Sequence, residues 1–148
     1  MKKPYLLDVN VILALAWPSH VHHLSAQQWF AEKGFAKKGA AGFRTCPLTE
    51  TGFVRISSNP AFTRDAVSPS AALELLERVK ELPGYGFWPD HLPLLNSFEN
   101  FSGIVGHRQV IDAYLLALAQ AHKGILATLD RATVTLGRSK EGLVELLP

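Results

Sequence analysis

Short apolar runs alternate with helical stretches along the whole chain, and that alternation restricts the fold more than any other feature. Residues 4–8 are apolar up to a terminal carboxylate, Asp8, as in a buried strand, and residues 9–17 continue as an apolar helix stopped by Pro18. Residues 22–38 read as an amphipathic helix anchored by Leu24, Trp29 and Phe30, broken by the glycines at 39 and 42. A second strand is expected over 43–46, then a helix from Pro47 to about Ser57. A clear amphipathic helix covers 69–82 and ends at Pro83-Gly84, with a short strand at 86–88. Residues 89–106 look mostly irregular, with a helical turn around Leu94. An Ala/Leu-rich helix spans 107–123 with Gly124 as its C-cap, followed by a strand over 125–129, a turn, and a last short strand over 142–147. Such alternation predicts an α/β fold: a twisted parallel sheet between two helical layers.

Length sets the scale of that fold. With 148 residues, the chain suits a single domain over 1–148 with a sizeable core. Its hydrophobic fraction of 47% against 19% charged is that of a globular protein rather than a disordered one. No apolar stretch is long enough to span a bilayer, and Asp8 and Asn10 interrupt the one run that imitates a signal peptide, so a cytoplasmic protein is expected. Cys46 is the only cysteine, which excludes an internal disulfide and a cysteine-based metal site. A net charge of +2 is compatible with a nucleic-acid partner without demanding one. No Gly-x-Gly-x-x-Gly or phosphate-cradling Gly-Lys-Ser/Thr loop is present, so nucleotide cofactors lack support.

Four carboxylates occupy telling positions. Asp8 and Asp130 each follow an apolar strand and should project at the carboxyl edge of the sheet, where open α/β sheets bind ligands, although an N-cap role would also explain each. Asp112 is the only charged side chain between 111 and 122, counting histidine as neutral, and Leu115 and Leu116 share its helix face. A carboxylate there loses hydration and needs a cation or donors; pairing with Arg108 one turn earlier is the plain alternative. Glu50 lies in the first turn of its helix, where the dipole alone could account for it. Together the four acids suggest a metal centre, because converging carboxylates repel unless a divalent cation neutralises them. Hard oxygen donors without a Cys or His cluster favour Mg²⁺ or Mn²⁺ over zinc, and phosphodiester hydrolysis is the chemistry that fits best. The His20, His22, His23 tract reads as structural or surface, Asp90 as the cap of a short helix, and Trp17, Trp29 and Trp88 as core or interface.

These segments resemble the PIN-domain ribonucleases, in particular the VapC-type toxins. Residues 6–13 resemble the PIN-domain opening, 49–55 the segment of the second acid, 109–119 the third and 127–131 the fourth, in matching order over nearly the whole chain. The resemblance implies a PIN-like three-layer α/β/α fold and a Mg²⁺- or Mn²⁺-dependent ribonuclease acting on single-stranded or loop RNA. It also implies inhibition by a small cognate antitoxin and a possible homodimer. Asp8, Glu50, Asp112 and Asp130 carry over as the acidic cluster, Asn10 and Thr128 as polar neighbours that orient ligands or water, and Arg55 as a supporting residue. Parts of the helix bearing Trp29 and Phe30 are expected among the apolar anchor points for the antitoxin. Two rival readings stay open: a metal-dependent phosphatase or phosphotransferase, weakened because Asn10 stands where such enzymes place a second Asp, and an inactive RNA- or partner-binding module.

Overall fold

The computed structural model describes residues 2–148; Met1, the first residue of the basic N-terminal stretch, lies outside the described residues. Five strands form one all-parallel sheet in the order β3-β2-β1-β4-β5: β1 Tyr5–Leu7, β2 Phe43–Thr45, β3 Tyr85–Phe87, β4 Ile125–Thr128 and β5 Val144–Leu146. Consecutive residues point to opposite faces, so Leu6 and Leu126 enter one core while Leu7 and Ala127 enter the other. Helices α1 (Val9–Ala16), α2 (His23–Lys33), α3 (Pro47–Ser57) and α4 (Pro69–Lys80) cover the second of these faces, through Val11, Ile12, Trp29, Phe53 and Leu76. Helices α5 (Leu95–Asn100), α6 (Arg108–Ala121) and α7 (Arg131–Gly137) cover the first, with Leu115, Leu116, Leu118 and Leu136. The expected three layers and parallel pairing are therefore present.

Four local expectations change. Helix α2 ends at Lys33 rather than 38, because Gly34 takes a left-handed conformation (φ 62°) that turns the chain and drives Phe35 into the core. Leu24 is no anchor: it is 79% exposed, whereas Ala26 and Trp29 form the buried stripe of α2. Trp29, expected as core or interface, belongs to the core: it is only 4% exposed, and its indole donates to Glu145 at 2.6 Å. The turn after β4 is instead α7, capped by the Asp130 carboxylate on the Ala132 amide at 2.9 Å. Asp90 is a cap, as expected, but of α3 rather than a later helix, accepting from the Leu48 amide at 3.1 Å.

A close approach between two helices fixes the geometry at the end of β1. Gly52 on α3 lies against Val9, where a Cβ would meet the valine methyl at 2.8 Å. The missing side chain lets α3 pack tightly on the first turn of α1.

Candidate active site at the switch point of the sheet

The chain leaves β1 toward β2 on one side and leaves β4 toward β5 on the other. Strand order thus reverses between β1 and β4, and a crevice opens at their carboxyl ends. Asp8 and Asp130 come directly after these two strands. Asp112, on the second turn of α6, belongs to the helix that leads into β4.

Asp8 is 6% exposed and caps α1, one oxygen accepting from the Val9 amide at 2.8 Å and the other from the Thr128 hydroxyl at 2.8 Å. The same Thr128 oxygen accepts from the Asp130 amide at 3.1 Å, so one hydroxyl fixes both strand-end acids. Burial raises the Asp8 pKa; the hydrogen bonds from Thr128 and Val9 oppose that rise and the Asp130 charge adds to it. Asp112 is half-buried and its pKa is raised to about 6, first by burial and then by the Asp8 charge, with a smaller push from Asp130. Thr133, in the first turn of α7, is fully buried, and its hydroxyl has no partner in hydrogen-bonding geometry. It still lies near enough to Asp112 to draw that pKa slightly down.

Three of the four acids are thus electrostatically coupled. Among the described residues no Lys or Arg forms an ion pair with any of them, and the Arg108–Asp112 pair allowed by the sequence is not made. Nor do three acidic, His or Cys side chains close on one common point. The donor set nevertheless fits a hard divalent cation. All the oxygens are carboxylate or hydroxyl, their repulsion is uncompensated, and an unpartnered buried hydroxyl stands beside them.

Glu50 stands apart from this trio. It accepts from the Thr45 hydroxyl at 2.7 Å and the Tyr85 hydroxyl at 3.3 Å, and pairs with Lys80 at 3.3 Å. Arg55 is exposed one turn further along α3, and Asn10 is exposed on the first turn of α1 without a side-chain hydrogen bond. Sequence reasoning missed Thr133, Lys80 and Tyr85. Thr133 was signalled by its position three residues after the capping Asp130; Lys80 and Tyr85 reach Glu50 from 30 and 35 residues away and carried no local signal.

The PIN-domain family model matches residues 5–137. The chain belongs to the PIN-domain family. Ribonuclease VapC39 of Mycobacterium tuberculosis is 43% identical over 143 residues, covering 96% of this chain and 98% of the relative. Two solved structures share the fold at low identity. The sarcin–ricin loop cleaving toxin VapC20 of Mycobacterium tuberculosis has a TM-score of 0.62 at 15% identity, covering 97% of this PIN domain and 99% of that chain. VapBC2 of Rickettsia felis, bound to a DNA fragment from its promoter, also has a TM-score of 0.62, at 9% identity over 98% and 99% of the two chains. PIN-domain ribonucleases in general depend on divalent metal ions. No described helix is long and apolar enough to cross a membrane.

Proposed function

We propose that this PIN domain is the toxin ribonuclease of a toxin–antitoxin pair, one nuclease unit that hydrolyses single-stranded or loop RNA in the cytoplasm with Mg²⁺ or Mn²⁺ held by Asp8, Asp112 and Asp130. The coupled, uncompensated trio of carboxylates at the switch point supports the reading most directly. The relatives named as ribonucleases at 38–43% identity supply the reaction class. Glu50 belongs to the second rank of the site: Lys80 and two hydroxyls hold it, and it would reach the cation through a change of partner or an intervening water.

Each residue then has a task. Asp8, fixed at both oxygens by Val9 and Thr128, is the rigid ligand. Thr128 sets the spacing between Asp8 and Asp130, and Asp130 ties the cap of α7 to the site. Asp112, lacking a donor of good geometry, keeps its oxygens free for the cation or for a proton. When bound, the divalent ion offsets charge on the phosphoryl oxygens and lowers the pKa of water near the scissile bond. With water as nucleophile the ribose 2′-hydroxyl has no required role, so the products carry 5′-phosphate and 3′-hydroxyl ends.

The antitoxin is a small cognate protein that places a Lys or Arg among the three acids, which no described Lys or Arg of the PIN domain pairs with. The sequence alternative of a phosphatase has no observation in its favour.

Product-end sequencing after incubation with Mg²⁺ or Mn²⁺ tests the chemistry. The reading expects 5′-phosphate ends, no cleavage in EDTA and none by Asp8→Asn. Cyclic phosphate ends, or cleavage persisting in EDTA, would overturn it.

A further inference from the structure

A second concavity adjoins the acid site and takes no part in holding the cation. Asn10, Trp17, His20, Ile56, Phe62 and Thr63 line a groove of about 420 Å³ between α1, the end of α3 and the loop that leaves α3. Asn10 links the two places: it lies two positions beyond the capping Asp8 on α1 and lines the groove.

The groove is built to stay open. The Trp17 indole donates to the buried Ser57 hydroxyl at 3.0 Å, which fixes one aromatic wall. On the facing loop, Asn59 holds a compact turn: its side-chain oxygen accepts from the Ala61 amide at 2.9 Å and its carbonyl from the Phe62 amide at 3.0 Å. The Val67 amide, bonded to the Ser57 carbonyl at 3.0 Å, closes the loop at its base. That scaffold presents Phe62 outward, 65% exposed, although the core lies close by. Polar atoms are spaced around the aromatic surfaces. His20 Nδ1 accepts from the His22 amide at 3.0 Å, which leaves the proton of the neutral ring on Nε2 as a free donor. Burial and the neighbouring His22 and His23 lower the His20 pKa and so favour that neutral ring. Asn10 adds an amide with both a donor and an acceptor.

We infer that this groove is a nucleobase subsite, in which an unpaired base of the substrate RNA, next to the scissile phosphate, stacks on Phe62 against Trp17 and is read at its edge by Asn10 and His20. The inference rests on the ribonuclease reading for its substrate. Two exposed or half-exposed aromatic faces with a donor–acceptor rim are what a single-stranded base needs: stacking supplies affinity and the rim supplies selectivity. The contrast with the groove between α3 and α4 favours this occupant. There Val54, Leu73 and Leu76 share the lining with Glu50 and Arg55, and no aromatic face lines the groove for a base to stack on.

The test uses the full chain and short single-stranded RNAs with 2-aminopurine at successive positions, bound in EDTA so that binding is read without cleavage. One position should show strongly quenched emission. Phe62→Ala should weaken binding about tenfold or more and remove the quenching, while Phe62→Tyr retains both. Phe62 is exposed, so unchanged thermal melting confirms that the loss is local. In Mg²⁺ the same Ala variant should raise KM and relax base preference at one position beside the cut, with kcat within about twofold of wild type. Unchanged binding, quenching and base preference in Phe62→Ala would overturn the subsite. A loss confined to antitoxin affinity would also overturn it, and would assign the groove to the partner protein. A wild-type protein that binds with quenching but never cleaves would sink the ribonuclease reading and leave the groove standing.

Discussion

Glu145 and Asp112 are both partly sheltered carboxylates, and burial pushes both pKa values up; their neighbours then take them in opposite directions. Glu145, on β5, accepts from the Trp29 indole at 2.6 Å, the Tyr5 hydroxyl at 2.8 Å and the Lys33 ammonium at 2.8 Å, and these donors bring its pKa below the usual carboxylate range. Asp112 faces Asp8 and Asp130 and stays at about 6. One acid is fully answered by the fold and ties β1, α2 and β5 together. The other is left unanswered at the switch point, where an external cation can answer it. A fold that satisfies a half-buried carboxylate with three donors at one place had the means to do so at the other, and under the proposed function the deficit at Asp112 is reserved for the cation.

The sharpest way to break this contrast is to neutralise the acids at the switch point. Asp8→Asn and Asp112→Asn should each lower RNA cleavage at least about 100-fold, since metal-centred charge stabilisation is worth several kcal/mol. Neither should unfold the metal-free protein, and circular dichroism checks this. Full activity in Asp112→Asn would place Asp112 with the structural acids.

Metal addition should separate the two regions next. Mn²⁺ at about 100 times its Kd should stabilise wild type by roughly 3 kcal/mol, read as a rise in melting temperature, because only the folded chain gathers the ligands. Asp112→Asn should lose most of that rise and Glu145→Gln none of it. The converse experiment is milder. Glu145→Gln should cost about 2 kcal/mol in denaturant unfolding, a figure reduced because the Lys33–Glu145 pair is about one-third exposed. Its kcat per folded molecule should match wild type. An inactive but stable Glu145→Gln would dissolve the distinction between the two acids.

The two regions were also unequally legible in the sequence. Asp8 and Asp130 could be placed because each ends an apolar run, and Asp112 because it is the lone charge in an Ala/Leu helix; the parallel sheet came from the same alternation. Local pattern reaches that far. The Glu145 network could not be read, since Lys33 and Tyr5 lie 112 and 140 residues away and only the closing of β1 and β4 against β5 brings them together. Nothing near Glu50 in sequence revealed its pairing with Lys80, 30 residues away. Helix α7 was hidden by Thr133, Val134 and Thr135, a β-branched run with weak helix preference; the Asp130 cap and packing of Leu136 against α6 override it. Gly34, not the glycines at 39 and 42, ends α2, and the turn it makes brings Phe35 into the core.

The smallest expected effect is the pH dependence of the metal-free protein. Asp112 keeps its proton up to about pH 6 in the folded state but only to about pH 4 in the unfolded chain. Between those values the folded state binds more protons, so stability falls as pH rises through the interval and is flat above it. Asp8, whose pKa is also raised, acts in the same sense. Glu145, with a lowered pKa, does the opposite: its contribution is complete above the ordinary carboxylate range and fades only as pH drops below it. Comparing wild type with Asp112→Asn in EDTA isolates the first contribution, because Asp8 and Glu145 titrate in both proteins. The Asn variant should gain on wild type progressively from about pH 4 to 6, reaching an advantage on the order of 1–2 kcal/mol after solvent screening, and hold it at pH 7. Denaturant midpoints at four or five pH values give the curve. A difference that stays flat, or an Asn variant that is the less stable protein at pH 7, would show that a cation such as Arg108 already holds Asp112, and the acid would join Glu145 as part of the scaffold.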